Sequence, residues 1–247
     1  MAINLFFTAI YGSQNYGLDN ENSDMDTKTT IIPTIDDLIK GKETSKTVET
    51  KYGQDDQKDV RVMFEQLKKC NPSYLEILLD NLPLVNLAYR DEYDNLIKMR
   101  DRILLRDLTR LSHSVKGMAY NKRDYTFKIY PITKNNIEKY GYDGKNASHI
   151  LRLEGFLDKV LRGRPFQECY NAKTYNNYQE IVDIKNHLPN KDEVKTKVDK
   201  SVIRIDEMVN NTTTSKIKGV EEDLDEIAYK LIRKSVEHEI KGFDKNE

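Results

Sequence analysis

Two aspartates separated by one residue, Asp24 and Asp26, are the side chains whose type and spacing most directly imply chemistry. On an extended strand alternate side chains share a face, so the two carboxylates stand side by side. Like charges held that close repel unless a cation sits between them. An oxygen-only pair suits Mg²⁺, which keeps several waters and takes one or two carboxylates together with substrate phosphates. Upstream, an apolar segment from Ile3 to Ile10 runs into Gly12-Ser13. Glycine permits a close backbone approach, and free N–H groups where a following helix begins bind phosphate oxygens. A phosphate cradle followed by metal carboxylates points to nucleotide chemistry.

The full string GSQNYGLDNENSDMDTK, Gly12 to Lys28, resembles the signature of the polymerase-β-type nucleotidyltransferases, in which Gly-Ser precedes Asp-x-Asp by about ten residues. It is similar above all to one branch, the predicted nucleotidyltransferases called RlaP-like, several of which are associated with RNA ligases. In that branch an aromatic-Gly pair follows the Gly-Ser and a Ser precedes the Asp pair; Tyr16-Gly17 and Ser23 hold those places. Read without the resemblance, GLDNENSD is also an ordinary polar loop rich in turn formers.

The resemblance implies roles residue by residue. Asp24 and Asp26 would be catalytic and hold two divalent ions, Mg²⁺ or Mn²⁺. A third carboxylate from a neighbouring strand would complete the site, and Asp59 is expected to supply it. The run DVRVMFEQLKKCNPSYLEILL that begins at Asp59 follows the branch's pattern, with Asn71-Pro72 and Glu76 in matching places. Asp55 and Asp56 are the alternatives, and Glu76 reads as a helix-dipole partner. Gly12, Ser13 and Lys28 would bind the nucleotide. So would Lys145, His149 and Arg152, whose spacings of four and three put them on one helical face and match a Lys-x-x-x-His-x-x-Arg-Leu helix of the branch. A polar face of an ordinary helix would look the same.

With 247 residues, 38% apolar and 33% charged, the chain can bury a real core, and its patterned apolar segments exclude wholesale disorder. Cys70 and Cys169 form no metal-ligand or disulfide pattern, which fits a reducing compartment. The first ten residues lack a basic leader and are too short for a signal or a span, so a soluble, cytoplasmic protein without membrane contact is expected. A net charge of −1 argues against indiscriminate binding to long nucleic acid. Between Lys98 and Lys128, however, nine Lys/Arg face three Asp. Within that segment Arg102, Arg106 and Arg110 recur one helical turn apart, either as a phosphate-tracking stripe that could bind nucleic acid or as a solvated helix face.

The elements that must position these residues follow from pattern. Strands are expected at 3–10, 24–32, 46–52 (an edge) and 59–64, with a helical turn at 13–18 and a short helix capped by Thr34. Residues 53–57 read as a turn. From Tyr74 onward apolar residues recur mainly at helical spacing, 124–132 being open between strand and helix. The expected fold is α+β. A small mixed-sheet nucleotidyltransferase core would occupy residues 1–80, followed by a mainly helical region, 81–247, packed on it and frayed at its end. The expected activity is metal-dependent transfer of a nucleoside monophosphate from an NTP, ATP included, to a hydroxyl, with an RNA (tRNA-like) end as the acceptor. The alternatives are a protein or small-molecule hydroxyl, or a nucleotide-binding regulatory module without turnover. Base preference and oligomeric state are not written in the sequence.

Overall fold

A computed structural model describes residues 4–19, 23–79, 81, 83–213 and 216–243. The start of the first expected strand, residues 20–22 of the motif and the last four residues lie outside the described set. The fold is α+β, a five-stranded mixed sheet with many helices. Chain contacts divide it into two compact units, one of 1–15, 19–106 and 217–247, the other of 16–18 and 107–216. Residues 81–106 and a C-terminal helix thus group with the sheet-bearing unit.

In the first unit, β1 (Leu5–Ile10), β2 (Thr27–Ile31), β3 (Ser45–Glu49), β4 (Gln54–Asp59) and β5 (Leu84–Val85) lie in the order β3-β4-β2-β1-β5. The β2–β4 pair is parallel and the others antiparallel. Phe6 and Phe7 of β1 are fully buried and meet Tyr93 edge-on. Helix α1 (Ile35–Ile39) starts with a reciprocal capping box between Thr34 and Asp37.

The expected strand at 59–64 is a helix. Val60, Met63, Phe64 and Leu67 are buried at i, i+3, i+4 and i+7 on α2 (Val60–Lys68), the spacing of a helical stripe. Asp59 is its N-cap. The strand is instead the polar run QDDQKD, expected to be partly turn, whose side chains find partners across the sheet. Next come α3 (Pro72–Leu75), with Asn71 as its cap and Pro72 in its first turn, then a buried 3₁₀ turn, Glu76–Leu79. Helices α4 (Arg90–Lys98) and α5 (Arg100–Leu105) complete the segment before residue 107.

The second unit comprises α6 (Leu108–Phe127), α7 (Lys134–Tyr140), α8 (Gly144–Leu161), α9 (Phe166–Cys169), α10 (Tyr178–Lys185) and α11 (Lys191–Asn211), with α6, α9, α10 and α11 packed on α8 as the central helix. Ala147, Ile150, Leu151, Leu153, Phe156, Leu157 and Val160 of α8 are buried. Residues 124–127, open from sequence, end α6. Helix α12 (Val220–Phe243) belongs to the first unit, where it packs on α2 and α4. No helix among the described residues is long and apolar enough to cross a membrane.

Candidate functional site

Asp24 and Asp26 lie just before β2, on chain that is already extended. Met25 donates its N–H to the Tyr52 carbonyl at 2.7 Å, and the Asp26 carbonyl accepts from Tyr11 N–H at 3.0 Å. Successive residues thus bond to opposite neighbours, as a strand requires, and Asp24, Asp26 and Lys28 share a face. Asp24 is exposed and Asp26 half-buried. One Asp26 oxygen accepts the Gln54 N–H at 3.1 Å. Gly53 leaves the room for this turn: a Cβ there would stand 2.7 Å from the Met25 carbonyl oxygen and 3.0 Å from Asp26 Oδ1.

The parallel register decides which carboxylate of β4 accompanies the pair. Lys28 stands opposite Asp56, and Thr27 opposite Asp55. Asp56 therefore shares the face of Asp24 and Asp26. Its two oxygens pair with Lys28 at 2.8 Å and Lys58 at 3.0 Å. Burial pushes the Asp56 carboxyl up, but the hydrogen bonds and charges of Lys28 and Lys58 outweigh it and hold the group below the usual range. Asp55 faces the other way and is consumed there, accepting from Thr27 at 2.9 Å, Thr29 at 2.7 Å and Gln57 at 2.8 Å.

Asp59 is not brought to the pair. It stands opposite Ile31, five positions beyond Asp26, which is about 16 Å along a strand. It is 1% exposed, caps α2 through the Arg61 N–H at 2.9 Å and holds the Arg61 guanidinium at 2.8 Å. Its bonds are those of a cap and a buried ion pair, away from the pair that it was expected to complete.

Gly12 takes a left-handed φ of +86° at the end of β1, which suits a turn that only glycine enters freely. Its N–H points to the Glu76 carboxylate at 3.3 Å, so an acidic group already holds the donor assigned to a phosphate. Ser13 lies half-buried in the adjoining turn. Lys28 is buried, paired with Asp56, and its ammonium sits 4.4 Å from the Tyr74 ring centre and 4.9 Å from that of Tyr11. The Tyr11 phenol registers the local field. Burial, then Asp26, Asp56, Glu76 and Asp55, push it up to about 12. Negative potential therefore converges where the carboxylates of β2, β4 and the Glu76 turn meet. Among the described residues no three His, Cys, Asp or Glu side chains are drawn together as a ready metal cage. The Asp24–Asp26 pair by itself has the donor chemistry that suits Mg²⁺.

In the second unit Lys145, His149 and Arg152 do lie together on α8. Arg152 Nη2 and His149 Nε2 are 2.8 Å apart, and the Arg152 guanidinium stacks 3.7 Å above the centre of the Tyr16 ring. Burial, then the charges of Arg152, Lys122 and Lys145, hold the His149 imidazole well below its usual range. It is neutral near pH 7 and accepts from Arg152 at Nε2. Tyr16 of the motif is 2% exposed and also packs on Tyr170, while Lys185 donates to the Leu18 carbonyl.

The basic stripe does not form. The helix breaks at Asp107, which caps α6, so Arg102 and Arg106 precede the break and Arg110 follows it. Arg106 is 3% exposed and paired with Glu221. Arg102 pairs with Asp223 at 3.0 Å, and Arg110 lies 3.7 Å from Asp107. A separate cavity of about 940 Å³ opens beside Glu154, Tyr175, Asn177, Arg204 and Met208 in the second unit; no residue expected to bind nucleotide lines it.

Tyr11 and Lys122 are the residues that sequence reading passed over, and Asp56 is one that it kept only as an alternative to Asp59. Helical spacing from Val60 to Leu67 was the signal that could have moved the strand back onto QDDQKD and picked Asp56 over Asp59. No signal marked Lys122, which reaches the α8 group only through the packing of α6 on α8. No protein-family model matches the chain, and a search of curated proteins finds no significant relative.

Proposed function

We propose that the chain is a metal-dependent nucleotidyltransferase that moves a nucleoside monophosphate from an NTP to a hydroxyl acceptor. The observation that carries this reading is the Asp24–Asp26 pair entering β2 with Asp56 on the same face of the adjacent parallel strand. The acceptor oxygen bonds to the α-phosphorus, the bond from that phosphorus to the bridging oxygen breaks, and pyrophosphate leaves with the electron pair. The hydroxyl proton passes to water. Mg²⁺ or Mn²⁺ bound at the aspartates would supply charge neutralisation and a lowered acceptor pKa. The protein's own share is positioning, because little covalent chemistry falls to it in phosphoryl transfer. Asp56 takes the third place first given to Asp59. An RNA end stays the proposed acceptor on the strength of the resemblance; the arginines at 102, 106 and 110 lend it no support.

A second reading, nucleotide binding without turnover, is favoured by one observation: Glu76 and Asp56 already hold the Gly12 N–H and the Lys28 ammonium. One experiment separates the two. The protein is incubated with Mg²⁺ or Mn²⁺ and each α-³²P-labelled NTP, with total RNA, with the protein alone and with no acceptor. Label transferred to RNA by wild type, and lost in the Asp24→Asn, Asp26→Asn variant, is the expected result. Label on the protein would make a protein hydroxyl the acceptor. NTP binding with no label in any arm would favour the module.

A further inference from the structure

The cavity of about 940 Å³ in the second unit is walled by α8, α10 and α11, and both its size and its place between packed helices are those of a small-molecule site. Its wall is built for close approach. Gly155 sits inside α8, where glycine weakens a helix, and a Cβ there would stand 2.3 Å from the Tyr175 ring. The absent side chain lets the segment after Tyr175 lie against α8, where Asn177 Nδ2 donates to the Leu151 carbonyl at 3.0 Å. Glu154 follows Leu151 by three residues and so shares its helical face. Glu154 and Asn177 both line the cavity, and both are short of a donor: Glu154 Oε2 and Asn177 Oδ1 are buried without a hydrogen-bond partner. A buried acceptor left unmet is costly, the more so on a charged group. The cations of the same wall do not meet that need. Lys159 and Arg164 lie 3.3 and 3.8 Å from Glu168, and Arg162 lies 2.8 Å from Asp158. Arg204 reaches the other Glu154 oxygen, Oε1, at 3.0 Å, but its side chain is 60% exposed while that of Glu154 is 12% exposed. A pair with one end so exposed is easily exchanged. What the cavity lacks is a donor.

We infer that this cavity binds a small organic molecule through a protonated primary amine, with Glu154 and Asn177 as the residues that hold it. An ammonium group carries three donors and no acceptor. One such group can serve Glu154 Oε2 and Asn177 Oδ1 together, and its charge strengthens the bond to the carboxylate. A neutral hydroxyl has one donor and would leave one of the two oxygens unmet. An anion would add acceptors where acceptors are already in excess. The incoming amine takes the place of the Arg204 guanidinium, which turns out to solvent. The volume leaves room for more than the amine, which is thus the anchor of a larger body. Every residue of the site belongs to the second unit, whereas Asp24, Asp26 and Asp56 belong to the first, and the inference does not depend on the transferase reading.

Calorimetry of the full chain with spermidine tests this, with tetramethylammonium as a cation that has no N–H, and with thermal melting of each ligand-free variant as the check of folding. Wild type is expected to bind spermidine at one site and not to bind tetramethylammonium. Glu154→Gln should weaken spermidine binding about tenfold or more, the loss expected from one charge-assisted hydrogen bond. Arg204→Gln removes the competing cation and should tighten binding, which the loss of a merely structural ion pair would not do. Asp36→Asn, at an exposed acid of the first unit that pairs with Lys40, should leave binding unchanged. The inference is overturned if spermidine does not bind, if tetramethylammonium binds as well, or if Asp36→Asn weakens binding as much as Glu154→Gln does. It is equally overturned if folded Glu154→Gln binds as wild type does or if folded Arg204→Gln binds more weakly. Should Glu154→Gln fail to fold, the direction of the change in Arg204→Gln decides.

Discussion

His149 shows how one residue's surroundings set its chemistry. Burial and the cations Arg152, Lys122 and Lys145 depress its pKa, so the folded protein keeps it neutral where the unfolded chain would protonate it. Between the folded value and the ordinary value of 6.5 the unfolded state binds more protons, so stability must fall as pH drops below about 6.5. The loss levels off once the folded pKa has been passed. Urea unfolding at a series of pH values is expected to show this decline in wild type and a flatter profile in His149→Gln over the same window. An unchanged profile in the variant would show that His149 does not carry the effect. The aspartate pair was legible at this same scale, since its spacing alone fixed its face. The partners of Gly12 and Lys28 were not, because a buried Glu76 and a salt-bridged Asp56 come from residues far away in the chain.

Register separates Asp56 from Asp59, and register is a property of elements. Both are aspartates of one six-residue strand. One faces the Asp24–Asp26 side and the other ends the strand as a helix cap. The sequence misled here because VRVMF has the β-branched, apolar look of a strand and QDDQKD the look of a turn. Tertiary pairing overrode both, with Thr27, Lys28 and Thr29 of β2 absorbing the charges of β4. Two substitutions should therefore part company. Asp59→Ala loses its cap, worth about 1 kcal/mol, and strands Arg61. It is expected to melt several degrees lower while keeping turnover at temperatures where it is folded. Asp56→Asn is expected to lose about a hundredfold or more in transfer, measured below its own melting point because Lys28 is left buried without its partner. Equal turnover losses in the two variants, both assayed while folded, would undo the assignment.

At the scale of the whole chain the least legible feature was where the last helix goes. The amphipathic spacing and paired charges of 220–243 announce a helix, but nothing in them says that it serves the sheet-bearing unit rather than the helices that precede it. The answer lies in side chains far apart in sequence. Val220, Leu224, Ile227 and Leu231 are buried on a helix that packs against α2 and α4. Around them Lys68 meets Asp225, Lys234 meets Glu92, and Ile35 N–H reaches Glu239 at 2.9 Å. Burial of four such side chains, at about 1.5–3 kcal/mol each, is of the same order as the whole stability of a typical domain. Removing residues 217–247 should therefore unfold the unit that holds Asp24, Asp26 and Asp56, although none of these lies within 190 residues of the chain's end. Limited proteolysis of the truncated chain is expected to cut first within 19–106 and to spare 107–216, whose core is built from α6, α8, α10 and α11. A truncated protein that kept wild-type transfer would mean that the sheet folds without α12.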